Sequence, residues 1–156
     1  MAKKDRKNGE RNVATNRRAY HDYFIEDKLE AGIELQGPEV KSVRAHHVSL
    51  AEAHAEMRDG EVWLLGAHIT PYRAAHTVVD PLRTRKLLLT KGEIRRLERR
   101  VLQKGYTLIP LRMYFARSGY AKVEVGLCRG KRQYDKREAI TRREVARELA
   151  RTAKIR

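Results

Sequence analysis

The side chains of this chain that most readily bind metals or act as nucleophiles are six histidines and one cysteine. No pair of histidines brackets a glutamate at the spacing of a metallohydrolase helix, and the adjacent His46 and His47 cannot converge on one ion from a helix or strand. Cys128 has no second cysteine with which to form an internal disulfide or a thiolate-rich metal site. We therefore expect solvated or core histidines, and no metal or other cofactor is predicted.

Gly130 and Lys131 fall short of a phosphate-binding loop, because the upstream glycine and the following serine or threonine of that motif are missing. No Ser-His-Asp or Cys-His set has a local signature either, although residues far apart in the sequence can still meet in a fold. An enzyme is therefore the weaker hypothesis, and we expect the chain to act by binding.

Positive charge is the strongest chemical signal of these 156 residues, which contain 35 Lys and Arg against 20 Asp and Glu, a net charge of +15. Most of the excess lies at the two ends. Residues 1–18 contain seven basic and two acidic residues, and residues 129–156 contain eleven and four. A chain this basic usually has a polyanionic partner, most often a nucleic acid and sometimes an acidic membrane. A merely solubilising role for the basic ends is the alternative.

Neither a membrane span nor a signal peptide is predicted, because no apolar run approaches ~18 residues and the first segment, MAKKDRKNGER, has no apolar stretch. The length suits one domain, which we expect to act in the cytoplasm as a monomer. Val13 is the one large hydrophobic residue within residues 1–15, which is too little to order this segment, so a disordered basic arm is predicted there.

Short strands are predicted to form most of the body. Apolar residues alternate on both sides of a loop that contains Gly119, which predicts a hairpin. Odd-numbered residues 109–115 are expected to share one face of its first strand, and odd-numbered residues 121–127 one face of its second strand. Asp59-Gly60 predicts a two-residue turn in another hairpin over residues 53–69. The remaining predicted strands are 20–36, with Gly32 as a bulge or bend, and 85–89.

Helices are predicted at three places. Thr90 and Glu93 fit a capping box before an amphipathic repeat that ends near Gly105. A shorter helix is predicted over residues 38–44, which have a proline in the first turn. The third helix is predicted from residue 138 onward, where a cationic segment has a thin apolar stripe along one side. This segment either docks on the body or, as its basic composition favours, becomes ordered on a partner.

Many short antiparallel strands with few helices are typical of small β-barrels, of which the OB-fold is a nucleic-acid-binding example. We therefore predict a mainly β fold, with an OB-like closed antiparallel barrel over residues 16–132 and two or three accessory helices. The disordered basic arm, 1–15, precedes this barrel. A basic C-terminal tail, 133–156, follows it and is disordered at least in part.

Four blocks of the sequence form a distinctive ordered set. The first contains NRRA from Asn16 and YFI from Tyr23, and the second is EAGIELQGPEVKSVR from Glu30. The third is DPLRTRKLLL from Asp80, and the fourth is GKRQYDKR from Gly130. In residues, order and spacing these blocks resemble the small protein B (SmpB) family of bacterial RNA-binding proteins. The resemblance is specific and extends from about residue 14 to the end of the chain.

The resemblance implies an OB-like barrel that binds transfer-messenger RNA (SsrA) and brings it to ribosomes stalled without a stop codon, the process of trans-translation. The family is not enzymatic. Its barrel replaces the anticodon half of a transfer RNA, and its C-terminal tail becomes helical in the vacant messenger channel of the small subunit, by the decoding region. Elongation factor Tu is the further partner expected in the delivered complex.

The family's contacts with transfer-messenger RNA correspond to Asn16, Tyr23, Glu30, Leu88 and Lys122. Lys122 is expected to face outward from its strand, where it can contact a phosphate. Tyr23 offers a ring to an unstacked base, and Asn16 and Glu30 can bind base edges in a loop. The alternatives are an internal salt bridge for Glu30 and core packing for Tyr23.

The same resemblance implies a second, ribosome-binding site at the start of the tail. Its residues are Gly130, Lys131, Arg132, Tyr134, Asp135, Lys136, Arg137, Arg142 and Arg143. Gly130 frees the backbone where the last strand meets the tail, and the cations can contact ribosomal RNA phosphates. Tyr134 can stack on an exposed base, at a place where many members of the family have histidine. Packing of Tyr134 on the barrel is the alternative.

A structural ribosomal protein with a barrel and basic arms, or another translation protein that binds ribosomal RNA, remains the alternative function. Composition and charge fit it equally well, and only the four sequence blocks favour the ribosome-rescue function. The RNA that copurifies with the protein would separate the two hypotheses.

Overall fold

The computed structural model of the chain describes residues 9–102 and 105–154, and within them all side chains except those of 132–139 and 152–154. The described strands are β1 (Arg11–Thr15), β2 (Tyr23–Ile33), β3 (Val48–Ser49), β4 (His54–Arg58), β5 (Glu61–Leu65), β6 (His68–Ile69), β7 (Arg85–Leu88), β8 (Tyr106–Phe115) and β9 (Ala121–Gly130). The described helices are α1 (Arg17–Asp22), α2 (Gly37–Arg44), α3 (Lys91–Val101) and α4 (Lys131–Lys154). The prediction of a mainly β fold is confirmed.

The main sheet closes on itself. Its strands lie in the order β1, β8, β4, β5, β7, β2, β9, and every pair is antiparallel. Because β8 also pairs with β9, six of these strands form a ring and β1 lies outside it, against β8. β3 and β6 form a separate two-stranded sheet.

Aliphatic side chains from alternate strand positions fill the ring. Along β9, Val123, Val125 and Leu127 are buried, as the alternation predicts, while Lys122 and Glu124 occupy the outward face. Neighbouring strands supply the other large members of this core, which include Val62, Leu64, Leu87 and Leu108. The outward face of β9 is therefore available to carry polar residues across the sheet.

β8 departs from the predicted alternation. Its register against β9 shifts between Pro110 and Arg112, so Leu111 is the extra residue of a β-bulge. The bulge turns the residues after it to the opposite face. The odd-numbered residues of β8 therefore do not share a face, and that prediction is wrong: Met113 and Phe115 belong to the ring's core, and Ile109 and Leu111 to a second cluster with Ala19 and Cys128.

The locally encoded turns and helices form as predicted. Asp59 and Gly60 both have positive φ, 51° and 74°, and link β4 to β5 in a two-residue turn. Thr90 and Glu93 form the reciprocal capping box that starts α3. Helix α2 begins one residue earlier than expected, at Gly37.

The N-terminal segment is more ordered than predicted. Residues Arg11–Thr15 form β1, so disorder up to residue 15 is wrong for this stretch, while residues 1–8 lie outside the described range. The backbone of β1 pairs with β8 and Val13 is buried in the core, which compensates for the scarcity of apolar side chains. The extended conformation predicted from residue 20 begins at Tyr23 instead, because residues 17–22 form α1.

The C-terminal segment continues directly from β9 as α4. Every side chain from residue 140 to residue 151 is exposed, so this stretch does not dock on the body. Its start at Lys131 lies two residues before the boundary predicted for the tail. Among the described helices, none is both long and apolar enough to cross a membrane.

Candidate nucleic-acid interface

A row of paired residues crosses four strands on the outward face of the ring. Leu88 of β7 lies opposite Gly32 of β2, Gly32 lies opposite Lys122 of β9, and Lys122 lies opposite Tyr114 of β8. Leu88 is 50% exposed. Since Gly32 has no side chain, the surface between Leu88 and Lys122 stays open, and a Cβ at this glycine would lie 3.1 Å from the Leu88 Cβ. The row places an apolar side chain and a cation on either side of that opening.

The next row on the same face is a set of charges. Glu30 of β2 lies opposite Glu124 of β9, which lies opposite Arg112 of β8. The Arg112 guanidinium donates to Glu124 over 3.1 Å and to Glu10 over 2.9 Å. The Lys28 ammonium lies 3.7 Å from Glu124. The two rows bring together three residues predicted for the RNA contact, Glu30, Leu88 and Lys122.

Tyr114 connects the two rows. Its ring is buried beneath the Arg112 guanidinium, 3.9 Å from the ring centroid. Its hydroxyl donates to the carboxylate of Glu30. Burial raises the pKa of the Tyr114 phenol well above its ordinary value, and the hydrogen bond to Glu30 raises it further. The phenol is therefore a permanent donor to Glu30 at physiological pH.

Asn16 does not lie on this face. Its side chain is 3% exposed and caps α1: Oδ1 accepts from the Ala19 N–H over 3.1 Å, and Nδ2 donates to the Pro110 carbonyl over 3.0 Å. Burial and these two bonds leave its side chain inaccessible to a base. We therefore interpret Asn16 as a residue that positions α1, in contrast to the direct base contact expected from the sequence.

Tyr23 lies beside residues predicted for the ribosome contact and away from Glu30, from which it is separated by about 20 Å of strand. It pairs with Gly130 and packs against the second apolar cluster. Tyr23, Gly130 and Lys131 line an open cleft of about 780 Å³, together with Arg18 and Tyr106. The five predicted RNA-contact residues therefore fall into separate groups.

Lys131 is held at the mouth of this cleft. Its ammonium donates to the Tyr20 carbonyl over 3.3 Å and lies 5.4 Å from the centroid of the Phe24 ring. The cleft thus combines aromatic rings with two cations, Arg18 and Lys131, the combination that suits an unstacked base and its phosphate. Arg18 is also paired with Glu52 over 2.7 Å and with Asp22 over 3.5 Å.

The other predicted ribosome contacts lie along α4. Arg142 and Arg143 are exposed. The side chains of five residues lie outside the described part: Arg132, Tyr134, Asp135, Lys136 and Arg137. The described half of this helix therefore presents cations to solvent, in agreement with its composition.

Sequence reasoning missed Arg112 and Tyr114 as parts of the interface. β9 lies between β8 and β2, and the Tyr114 hydroxyl reaches Glu30, 84 positions away, across this strand. No local sequence pattern encodes such a contact. The charge alternation of Arg112 with Glu124 across the β8–β9 hairpin was a usable clue.

Metal and nucleophile chemistry gains no support from the geometry. Within residues 9–102 and 105–154, no three His, Cys, Asp or Glu side chains are grouped so that they could hold a metal ion. Cys128 is fully buried, and this burial raises the pKa of its thiol to about 11. A thiolate nucleophile at neutral pH is therefore disfavoured.

Comparison with known proteins gives consistent matches over nearly the whole chain. A family model described as "SmpB protein" matches residues 13–155. An SsrA-binding protein of Caldicellulosiruptor bescii is 53% identical over 155 residues, which cover 99% of this chain and 98% of the relative. An SsrA-binding protein of Limosilactobacillus reuteri is 53% identical over 156 residues, with 99% of each chain covered.

A similar fold occurs in a solved structure described as "tmRNA-SmpB: a journey to the center of the bacterial ribosome". The matching chain has a TM-score of 0.65 and is 51% identical in sequence. The match covers 81% of this chain and 93% of the other.

Proposed function

This chain belongs to the SmpB family, and from that premise we propose that it binds transfer-messenger RNA (SsrA) and delivers it to stalled ribosomes for trans-translation. The observation that carries the proposal is the outward face of the ring, where Leu88, Lys122 and Glu30 converge from three strands. A cation beside an open apolar position and an exposed acceptor can hold an RNA backbone and a base together. We propose that this face binds transfer-messenger RNA, as a binding protein and not as an enzyme.

We interpret the six-stranded ring as an OB-like closed barrel, whose body extends over residues 16–132. The closure of β8 on β9 supports this interpretation, as does the antiparallel pairing of every neighbouring strand in the ring. In this proposal Asn16 acts indirectly, since it caps α1 next to Tyr23. Tyr23 contacts RNA at the cleft beside Gly130.

The ribosome is the proposed second partner, bound by the cleft and the tail. Gly130 and Lys131 begin the contact, and the cations of residues 132–143 continue it along ribosomal RNA phosphates. Three apolar side chains of α4, Ile140, Val145 and Leu149, are exposed, and the messenger channel would provide a surface to bury them. Elongation factor Tu completes the delivered complex, in which a monomer of this chain acts in the cytoplasm.

Two measurements test the proposal. Purified protein is titrated into labelled transfer-messenger RNA and, separately, into ribosomal RNA of the small subunit; we expect much tighter binding of the former. In reconstituted translation of a messenger without a stop codon, addition of the protein should attach the RNA-encoded tag to the stalled chain. Equal affinity for both RNAs, stoichiometric retention on washed subunits and no tagging would instead establish the ribosomal-protein alternative.

A further inference from the structure

Two carboxylates lie side by side on the outward face and have opposite electrostatic surroundings. Glu124 is neutralised by Arg112 and approached by Lys28. Glu30, directly opposite in the register, has the Tyr114 hydroxyl as its partner, and no Lys or Arg among the described residues forms an ion pair with it. Glu30 is therefore a carboxylate without a cationic partner among the described residues, at an exposed position of a chain with net charge +15.

The carboxylate of Glu30 is also held in one orientation. The donating hydroxyl belongs to a ring that is 1% exposed and is covered by the Arg112 guanidinium. Arg112 directs its Nε to Glu124 and its Nη2 to Glu10, and forms no ion pair with Glu30 among the described residues. The bond from Tyr114 uses Oε2, so Oε1 and the remaining lone pairs are open to a ligand on the exposed side.

A carboxylate in this state selects its ligand by charge. Phosphates are repelled, and nitrogen donors on a base edge are attracted. Among the four bases, guanine alone presents two adjacent donors on its Watson–Crick edge, N1–H and N2–H, which match the two oxygens of a carboxylate. Cytosine and adenine place an acceptor beside their amino group, and uracil places carbonyl groups on both sides of its imino group.

We propose that Tyr114 positions Glu30 to bind the Watson–Crick edge of an unpaired guanine in transfer-messenger RNA. This inference rests on the proposed function and adds to it a base identity and a positioning residue. Lys122 lies in the adjacent row of the same face, where it holds a phosphate of the same RNA segment. In this arrangement the Lys122 cation attracts the RNA backbone, and the Glu30 carboxylate selects the base.

The test is analogue interference with full-length transfer-messenger RNA. Inosine, which lacks the N2 amino group of guanosine, is incorporated at random guanosine positions together with a cleavable phosphorothioate. The inosine content at each position is then compared between protein-bound and unbound RNA. With the wild-type protein we expect inosine to be depleted from the bound RNA at one or a few guanosines. With Glu30→Ala the depletion at the guanosine bound by Glu30 should disappear, because the contact is already lost.

Tyr114→Phe keeps the buried ring and removes the hydroxyl. We expect about threefold to tenfold weaker RNA binding, the size of one hydrogen bond, and a weaker inosine effect at the same guanosine. The salt dependence of binding should stay unchanged, which a general loss of structure would not produce. Tyr72→Phe is the matched control, since Tyr72 is 40% exposed and lies in a cleft with Pro38 and Ile69, away from this face.

Two results would overturn the inference while transfer-messenger RNA still binds. If no guanosine shows an inosine effect that depends on Glu30, guanine is not the ligand. If Tyr114→Phe keeps the wild-type affinity and inosine effect, Tyr114 does not position Glu30. Failure of the wild-type protein to bind the RNA at all would instead contradict the proposed function, so the two failures are distinguishable.

Discussion

The side-chain amide of Asn16 links α1 to β8 through the carbonyl of Pro110, 3.0 Å away. Pro110 lies next to the bulge, where pairing between β8 and β9 is interrupted. The same side chain caps α1 through the Ala19 N–H. One buried residue therefore fixes both the helix beside Tyr23 and the strand segment beneath it.

Asn16→Ala should reduce the free energy of unfolding by about 2 kcal/mol, because a helix cap is lost and the Pro110 carbonyl loses its donor. Asn16→Asp, which can cap but cannot donate, should fall between the wild type and alanine. Denaturant unfolding measures both values. We expect RNA affinity per folded molecule to change little, and a large loss of affinity with unchanged stability would show that Asn16 contacts the RNA.

Features encoded within a few residues were predictable from the sequence. The cap of α3 and the Asp59-Gly60 turn depend on neighbours in the chain, and both form as expected. β1 could not be predicted in the same way, since its order comes from pairing with β8, about 100 residues away along the chain. The β-bulge could not be predicted either, because one extra residue, Leu111, turns the following residues of β8 to the opposite face without changing the composition of the strand.

The resemblance named residues for the proposed RNA contact, but it did not give their spatial arrangement. Glu30, Leu88 and Lys122 were chosen by resemblance, and strand register is what brings them together. For Asn16 the residue type does not decide the role, because an asparagine before Arg-Arg-Ala can cap a helix as well as contact a base. Only its burial separates the two roles.

A second buried contact joins α2 to β7. The carboxylate of Glu39 accepts from Arg85 and from Arg83, each over 2.5 Å, and from the Gln36 N–H over 2.9 Å. Arg85 is completely buried and also donates to the carbonyls of Ala67 and Pro81. Burial alone would raise the pKa of Glu39, but these hydrogen bonds outweigh it and lower that pKa below its ordinary value.

Glu39→Ala should destabilise the fold by about 3 kcal/mol, since it leaves the Arg85 charge buried without its partner. A carboxyl whose pKa is lower in the folded state stabilises the protein above its unfolded pKa of about 4.3, and this stabilisation is lost as pH falls through the folded value. Urea unfolding from pH 6 to pH 3 should therefore show a steeper loss for the wild type than for Glu39→Gln. The exposed Glu144 of α4 provides the control, and equal pH profiles for wild type and Glu39→Gln would contradict the linkage.

The RNA affinities of Lys122→Ala and Glu30→Ala should respond differently to salt. Lys122→Ala removes one phosphate contact, so RNA binding weakens and the slope of log affinity against log salt becomes shallower by ~0.7 to 0.9. Glu30→Ala also weakens binding, but with little change of slope, because a carboxylate releases no counterions from RNA. Filter binding at several salt concentrations measures both effects. The same slope for Lys122→Ala and the wild type would argue against a phosphate contact.

Removal of residues 133–156 should separate the two proposed contacts. The truncated protein retains the outward face with Glu30, Leu88 and Lys122, so binding of transfer-messenger RNA should stay within about twofold of the full chain. Tagging on stalled ribosomes should be abolished, because the cations of α4 after Arg132 are gone. A loss of RNA affinity in proportion to the loss of tagging would show that the two functions share one site.

Tyr134 lies between two basic pairs, Lys131-Arg132 and Lys136-Arg137. Its side chain lies outside the described residues, so its role stays a prediction from the sequence. A ring between cations that hold a phosphate backbone is suited to stacking on an exposed base, a contact worth about 1–3 kcal/mol by alanine substitution. Tyr134→Ala should weaken ribosome engagement by that amount and leave binding of free transfer-messenger RNA unchanged.

Tyr134→His separates stacking from packing, because imidazole keeps a flat π-face. It should engage the ribosome nearly as well as the wild type, as measured by tagging rates in reconstituted translation. If the tyrosine instead packs on the barrel, Tyr134→Ala should lower the thermal midpoint of unfolding. A lower midpoint combined with normal ribosome engagement per folded molecule would therefore exclude the stacking role.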